Sequence, residues 1–301
     1  MTTAQGPDGP ILVDSSADFA RTFGAVSQWA GSVEGFFENG GARLWVRRVT
    51  GKRGPTAADL AAIFAQPDIS VCFFPGLTPP AFQKSVATRL EAQRDRFALF
   101  DAPDTADAPP MPGTSYAALF RPWLATPRGP VPPSGHVAGV LVSGDRDRGI
   151  LHSPGGLPVR GATGLTRSGS QFSIRSFPGR GILVWSARTL STDPEYKYIP
   201  VRRLQIFLAQ SISRGLEWVV FEPNTQATWR NVRASVESFL LTVWRSGNLQ
   251  GARPEEAFFV RCDRTTMPQN DLDNGRLVVL IGFAPLRPAE FVIFRVVKVL
   301  Q

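Results

Sequence analysis

Ser134 and His136 are the residues of this 301-residue chain whose types and spacing come nearest to a catalytic pair. A serine nucleophile needs an imidazole within hydrogen-bond reach of its hydroxyl group and a carboxylate behind that imidazole. Both residues stand in VPPSGHVAG, at the predicted start of a helix, where a separation of two positions does not favour that geometry. We therefore interpret Ser134 as the N-cap of the helix that His136 enters, and we expect no enzyme activity.

The other candidate motifs give no stronger signal. His152, in GILHSPGG, has no His, Cys or Glu at metal-ligand spacing, so we expect a loop residue that makes a backbone hydrogen bond. The strings GRG and SPGGLPVRGATG match neither the P-loop nor the dinucleotide fingerprint. The string NDLDNG lacks the alternating ligands and the distal glutamate of a calcium loop, and predicts a turn. We expect neither a metal nor a cofactor.

The two cysteines and the long apolar runs indicate a reduced, globular protein. Cys72 and Cys262 lie in ISVCFFP and FFVRCD and are predicted to be buried core residues with free thiols. The longest apolar runs are about half the ~20 residues that a membrane helix needs, so we expect no direct membrane insertion. The start MTTAQGPDGPILVDSS lacks the features of a signal peptide, which predicts folding in the cytoplasm.

The formal net charge of +8 indicates an acidic partner. The basic residues are nearly all arginine and are scattered, as in RNVRASVESFLLTVWR, and a Lys/Arg-rich arm is absent. This pattern favours a solvated, partner-facing protein surface, and we expect no nucleic-acid partner.

The first part of the chain alternates predicted helices and strands after a loose start marked by Gly and Pro. Apolar spacing predicts helices in ADFARTFG, AVSQWAGSVEGFFENGG, AADLAAIFAQ with Thr56 as N-cap, and PPAFQKSVATRLEAQRD. Strands are predicted in ARLWVRRV, ISVCFFPG and RFALFDAP. This order predicts the α/β class, with mixed, largely parallel sheet layers flanked by helices. From Ala102 to Pro133 the composition predicts a connector or rim segment.

The second part is predicted to contain three helices and six strands. The helices are GHVAGVLVSGDRDRG, VRRLQIFLAQSISRG ending at Gly215, and the longest one from about Gln226 to Arg245. The strands are two in SIRSFPGRGILVWSART, then WVVFEPN, EEAFFVRCD, RLVVLIGFAP and the terminal ribbon AEFVIFRVVKVLQ.

The terminal ribbon is apolar on both faces, since Phe291, Ile293 and Val297 alternate with Val292, Phe294 and Val296. We expect another molecule to cover its open edge. The alternative is that it pairs beside RLVVLIGFAP in its own subunit, with LRPA as a tight connection.

Several long strings resemble the tail sheath protein of contractile phage tails and related contractile injection systems. They are VPPSGHVAG, SFPGRGILVWSARTLSTDPEYKYIPVRRLQIFL, WVVFEPN, FLLTVWRSGNLQGARPEEAFFVRCDRTTM and DNGRLVVLIGFAPLRPAEFVIFR, with a looser match in FFENGGARLWVRRV and RFALFD. The resemblance implies a subtilisin-like middle region without protease activity and a sheath C-terminal domain. We assign 1–10 as a flexible tail, 11–133 as the subtilisin-like region with its Pro-rich connector, 134–288 as the C-terminal core and 289–301 as an arm strand.

The resemblance also implies a function: a structural subunit that polymerises as stacked, hexameric rings around an inner tube and contracts to drive the tube through a target envelope. The implied partners are further copies of the chain, the inner tube protein, and baseplate and cap proteins. Assembly is expected in the bacterial cytoplasm, as part of a phage tail or phage-tail-like particle. The alternative is a non-contractile, sheath-like capping or baseplate-proximal adaptor.

Two sets of residues are assigned to contacts on this basis. The inter-subunit arm comprises Phe291, Val292, Ile293, Phe294 and Val296. The candidate tube-facing residues are Arg230, Arg233, Arg264 and Arg276. Relatives carry an arm with a string like PGVYVEE ahead of the segment that resembles ILVDSSADFARTFG, where this chain has only MTTAQGPDGP. We therefore expect a shortened N-terminal arm and an exchanged sheet with fewer strands.

Overall fold

The computed structural model describes residues 6–24, 29–49, 54–105, 113–286 and 292–299. The chain divides into two compact units, residues 1–200 and 201–301. Helices and several small sheets alternate along the described residues, so the predicted α/β class is confirmed.

The first unit opens with a layer of short elements and closes with a hairpin. Its elements, in chain order, are β1 (Pro10–Val13), α1 (Ser16–Phe23), α2 (Ala30–Glu38), β2 (Leu44–Arg47), α3 (Ala57–Phe64), β3 (Val71–Phe73), α4 (Pro80–Gln93), β4 (Phe97–Asp101), β5 (Ala117–Phe120), β6 (Leu124–Thr126), β7 (Gly129–Val131), α5 (Ser134–Arg148), β8 (Gly164–Leu165), β9 (Ile174–Phe177) and β10 (Gly181–Val184).

A parallel sheet of three strands, in the order β3-β4-β5, forms the centre of this unit. Every residue of β4 is buried, because α4 and α5 pack against the strand. Such strands carry continuous apolar runs, as FALFD does. Among the described residues, parallel pairing is confined to this sheet, and the other four sheets are antiparallel.

Two predictions for this region were wrong. The predicted strand ARLWVRRV does form β2, but β2 pairs antiparallel with β1, where the sequence suggested a loose start. The third strand of the parallel sheet is instead β5, from the segment that was predicted to be a connector. Both errors arise because PILV and AALF are short apolar runs, whose pairing depends on tertiary packing.

The N-cap of α3 is the residue that the sequence predicts. The hydroxyl group of Thr56 accepts a hydrogen bond from the backbone N–H of Asp59, whose carboxylate accepts one from the N–H of Thr56. This capping box confirms Thr56 as the N-cap of α3. The predicted hairpin also forms, with β9 and β10 antiparallel around the Pro-Gly turn.

The second unit contains helices followed by an antiparallel sheet. Its elements are the greater part of α6 (Ile199–Gly215), a 3₁₀ helix (Glu217–Phe221), α7 (Gln226–Arg245), α8 (Pro254–Ala257), β11 (Phe258–Arg261), α9 (Gln269–Asp273), β12 (Arg276–Phe283) and β13 (Val292–Val299). The predicted strand WVVFEPN was wrong, because this string forms the 3₁₀ helix. Only Val219 of its apolar residues is fully buried, so the run lacks the covered faces of a core strand.

Helix α7 has the bounds that the sequence predicts. The side chain of Thr225 caps its first turn, and the buried stripe includes Trp229, Val232, Val236 and Leu240. The stripe recurs every three or four residues, the spacing of an amphipathic helix with one buried face. Its charged side chains remain on the opposite face.

The sheet of the second unit has the order β11-β12-β13. Strand β12 pairs with β11 through its last four residues and with β13 along its whole length, with Arg276 opposite Val299 and Phe283 opposite Val292. Strand β13 is therefore an edge strand of this sheet.

Candidate functional surfaces

The carboxylate of Asp101 lies at the end of β4 and receives three hydrogen bonds. The backbone N–H of Ser134 donates to Oδ1 at 2.8 Å, its hydroxyl group donates to Oδ2 at 2.7 Å, and the N–H of Gly76 donates to Oδ2 at 3.0 Å. The N-cap residue of α5 is Pro133, and Ser134 is the first helical residue, so the predicted role of Ser134 was wrong. The backbone N–H of Ser134 has no acceptor within α5, and Asp101, at the end of β4, accepts its hydrogen bond.

His136 is buried and packs against α2. A Cβ atom on Gly35 would lie 2.2 Å from the imidazole ring, so the ring occupies the space that this glycine leaves. Burial lowers the pKa of His136 to about 4, which keeps the imidazole neutral near pH 7. Because the Ser134 hydroxyl group donates to Asp101, it is not poised for activation by His136. The geometry is that of a helix-packing cluster.

The structure also locates the remaining candidate residues. His152 is exposed, and its backbone N–H donates to the carbonyl oxygen of Gly149 at 3.1 Å. Both cysteines are buried free thiols, and burial raises the pKa of Cys72 and of Cys262 to about 12. Within the described ranges no three His, Cys, Asp or Glu residues are grouped to hold a metal ion, and no helix has the length and apolarity to cross a membrane.

The four candidate tube-facing arginines lie around the first half of α7. Arg230 is exposed and has no ion pair with a described residue, whereas Nε of Arg233 lies 3.8 Å from Oε1 of Glu237. The guanidinium of Arg264 stacks over the ring of Trp229, 5.7 Å from its centroid.

Arg276 is connected to the same region. Its Nη1 lies 3.4 Å from Oδ1 of Asp271, and its carbonyl oxygen accepts a hydrogen bond from the side chain of Asn224, just before α7. The structure therefore brings these arginines to one region, with two of them already in weak ion pairs.

The terminal ribbon forms β13. Val292, Ile293, Phe294 and Val296 belong to this strand, whereas Phe291 lies outside the described residues. In the isolated chain β13 pairs with β12 of its own subunit, as in the alternative interpretation of the ribbon. Strand exchange between subunits stays a prediction.

Sequence reasoning missed Asp101. It is the last residue of the buried strand FALFD, and a carboxylate at the carboxyl end of a core strand indicates a polar contact. Its partners, Ser134 and Gly76, are 33 and 25 residues away in the sequence, so no local pattern identifies them.

Comparison with known proteins provides the family. The family model of the phage tail sheath C-terminal domain matches residues 191–298. The prophage major tail sheath protein of Pseudomonas aeruginosa (strain UCBPP-PA14) is 23% identical over 344 aligned positions, which cover 96% of this chain and 86% of that protein. Among solved structures, a chain of the PVC sheath complex of an extracellular contractile injection system, in the contracted state, superposes with a TM-score of 0.81 at 28% identity, covering 96% of this chain and 86% of that one. Residues 191–298 belong to the phage tail sheath C-terminal domain family, and almost the whole chain is similar to tail sheath proteins.

A second sheath-like match comes from a baseplate. The structure of the anti-feeding prophage baseplate, 6-fold symmetrised, contains a chain with a TM-score of 0.83 at 29% identity, covering 97% of this chain and 88% of that chain. The relatives are thus structural components of phage tails, prophage tail-like particles and contractile injection systems. The side chains of Asp101, Ser134 and His136 in this chain are buried in the packing of the first unit.

The buried side chains of Asp101 and His136 give this protein a testable dependence of stability on pH. Burial, opposed by the hydrogen bonds from Gly76 and Ser134, raises the pKa of Asp101 from 3.8 to about 7, whereas burial lowers the pKa of His136 from 6.5 to about 4. As pH rises from about 4 to 6.5, Asp101 contributes less and less to the free energy of unfolding, whereas His136 contributes more. We expect the two slopes to offset each other, so the free energy of unfolding of the wild type varies little.

Single variants should separate the two slopes. Asp101→Asn leaves the His136 contribution, so its free energy of unfolding should increase with pH, by at most about 1.4 kcal/mol per pH unit. His136→Gln should show the opposite slope. Denaturant unfolding of the monomer at several pH values measures both, and only slopes are compared because each variant also loses packing. A wild-type slope as steep as that of Asp101→Asn would contradict the offset.

Proposed function

We propose that this protein is the subunit of a contractile sheath. In this proposal, copies of the chain stack as six-membered rings around an inner tube, and the polymer shortens to drive the tube through a target envelope. Assembly takes place in the bacterial cytoplasm, with baseplate and cap proteins at the two ends. Residues 11–133 and 134–288 serve as the subtilisin-like region and the C-terminal core, respectively.

The observation that carries the proposal is the similarity to the PVC sheath complex across almost the whole chain. The superposition has a TM-score of 0.81 at 28% identity and covers 96% of this chain. The likeness therefore includes residues of both compact units and is not confined to one of them. The sheath of that injection system was resolved in a contracted state, which supports contraction here as well. The lack of an assembled catalytic group around Ser134 supports a structural role.

A second candidate function is a non-contractile adaptor close to the baseplate. The observation that favours it is the match to a chain in the baseplate structure of the anti-feeding prophage, which has a TM-score of 0.83. An adaptor would form a single ring or a short stack at one end of the tube. A sheath subunit would continue along the tube.

Electron microscopy distinguishes these two functions. We expect the chain, expressed together with the inner-tube protein of the same particle, to form long striated cylinders in negative stain. The reason is that a subunit with interfaces above and below can add copies without limit. Discrete rings restricted to tube ends would favour the adaptor, and monomers that never associate with the tube would contradict both.

The arginines around α7 are proposed to face the inner tube. Guanidinium groups form bidentate pairs with carboxylates, which suits contact with an acidic tube surface. Arg230 is exposed and unpaired within the described part of the chain, and the pairs of Arg233 and Arg276 are long, so these groups are available to exchange partners. Exposed pairs contribute only about 0–1 kcal/mol each, so binding would depend on many repeated subunits.

This proposal predicts salt-sensitive assembly on the tube. Raising the salt concentration from about 0.1 M to 1 M shortens the Debye length from about 10 Å to 3 Å and should weaken co-sedimentation with the tube. Arg230→Glu should act in the same direction at low salt. The matched control is Arg253→Glu, an exposed arginine in the same unit that pairs locally with Glu256. Co-sedimentation unchanged by salt and by Arg230→Glu would contradict an electrostatic contact.

The terminal strand is proposed to join subunits by exchange. In this arrangement β13 of one copy pairs with β12 of another in the register that the isolated chain forms with itself. The exchange adds no new kind of contact, so it costs little beyond ordering the connection. The arm residues 291–294 and 296 are large and apolar, and burial of each such side chain is worth roughly 1.5–3 kcal/mol before ordering costs. A link of this kind would persist while subunit bodies move.

Disulfide crosslinking tests strand exchange. Leu280 and Arg295 are register partners on β12 and β13, and opposite residues in antiparallel strands have Cα atoms about 4.5–5.5 Å apart, within disulfide range. Oxidised polymers of the Leu280→Cys, Arg295→Cys variant should therefore give a ladder of covalent oligomers on a non-reducing denaturing gel. The control pairs Leu280→Cys with Lys298→Cys, which is three positions out of register. Crosslinked monomers alone, recovered from intact polymers, would show that β13 stays in its own subunit.

A further inference from the structure

The segment of residues 148–192 carries an unbalanced positive charge. It contains six arginines and no Asp or Glu, in a chain whose total formal charge is +8. Within the described residues, Arg167 is the only one of the six with an ion pair, to Asp104 at 3.5 Å. This segment of the first unit therefore carries a high local positive charge, which few carboxylates of the described residues neutralise.

The hairpin β9-β10 within this segment presents aromatic and guanidinium groups in a row, here called the hairpin ladder. It comprises Arg175, Phe177, Arg180 and Trp185. The rings of Phe177 and Trp185 are 4.4 Å apart between centroids, Arg180 lies over Phe177 at 5.9 Å and Arg175 lies over Trp185 at 5.8 Å. Trp185 remains 40% exposed. Trp and Arg side chains held in this way are the residues most enriched at the centres of protein interfaces.

The 3₁₀ helix of the second unit has the complementary character, and residues 217–222, the helix together with the residue after it, are here called the acidic knob. Phe221 is 84% exposed and Trp218 is 42% exposed, which makes them the two most exposed aromatic residues in the described chain. Glu217 and Glu222 flank them, both exposed and without an ion pair to any described residue. Exposed aromatic rings between two unpaired carboxylates indicate an interaction site. They favour a partner that presents exposed rings and free cations.

We propose that the acidic knob of one copy docks on the hairpin ladder of another copy. This inference rests on the proposed function, because it requires that copies polymerise. The partner is a second copy because both surfaces belong to the same chain and carry opposite charge. The carboxylates of Glu217 and Glu222 would approach Arg180 of the ladder and Arg188, an exposed arginine three residues after Trp185. The exposed rings would be buried together.

The geometry of such a contact also fits a polymer. The ladder and the knob are different surfaces, so their pairing is heterologous: each copy uses its knob on one neighbour and its ladder on another. Heterologous contacts produce closed rings or open helical assemblies, whereas a contact between identical surfaces would stop at a dimer.

Charge reversal and its rescue test the proposal. The ladder variant is Arg180→Glu with Arg188→Glu, and the knob variant is Glu217→Arg with Glu222→Arg. We expect each to raise the protein concentration that gives half-maximal sedimentation of polymer by about ten-fold or more, the effect of losing about 1.4 kcal/mol per contact. A single chain that carries all four changes should return to within about three-fold of the wild type, because opposite charges face each other again.

Controls keep the test independent of folding and of total charge. Glu91→Arg with Glu255→Arg changes the net charge by the same amount as the knob variant at exposed positions elsewhere, and it should polymerise like the wild type. Phe221→Ser should weaken polymerisation about ten-fold while the thermal unfolding of the monomer is unchanged, because the ring is exposed there.

The outcomes separate this inference from the proposed function. Normal polymerisation of the knob, ladder and Phe221→Ser variants would overturn the docking contact and leave the sheath function intact. Failure of the four-change chain to recover, together with loss of binding to the tube or to nucleic acid by the ladder variant alone, would assign the ladder to that other partner and overturn the contact. A wild-type chain that never polymerises would overturn the proposed function and this inference with it.

Discussion

A buried β-strand needs hydrogen-bonding partners along both edges, and this constraint on β12 governs the second unit. Strand β11 pairs with only the last four residues along one edge of β12, whereas β13 pairs with the other edge along its whole length. Unpaired N–H and C=O groups on an apolar strand invite association with other chains. The protein therefore depends on its terminal strand, and the proposed polymer depends on which copy provides that strand.

The interior and the surface of the protein have different parts in the proposed polymer. Inside the first unit, Asp101 and His136 are buried, and Asp101 joins the end of β4 to the start of α5 through hydrogen bonds. Outside, guanidinium groups, carboxylates and aromatic rings remain exposed. Single contacts of this kind are weak, since exposed ion pairs contribute about 0–1 kcal/mol, but a repeated lattice adds them over many copies. Weak contacts in large number can break and form again, as contraction requires.

Much of the fold was predictable from the sequence wherever a local signal sufficed. The bounds of α7, the Thr56 capping box and the β9-β10 hairpin follow from apolar period, cap chemistry and the Pro-Gly turn. Non-local features were missed. The pairing of β2 with β1, the place of β5 in the parallel sheet and the capping of α5 by Asp101 all depend on residues far apart in the chain. The residue types of WVVFEPN predict a strand, yet the string forms an exposed 3₁₀ helix. Of its apolar side chains, only that of Val219 is fully buried. Sequence reasoning also treated the basic residues as scattered and did not single out segment 148–192, which has six arginines and no Asp or Glu.

In the proposed function, this chain extends along a tube as a repeating subunit. The most direct measurement is the number of copies per particle as a function of tube length, obtained by quantitative mass spectrometry of purified particles sorted by length in electron micrographs. The account predicts that the number of copies increases in proportion to the length of the tube. A fixed number of copies per particle, independent of tube length, would contradict it.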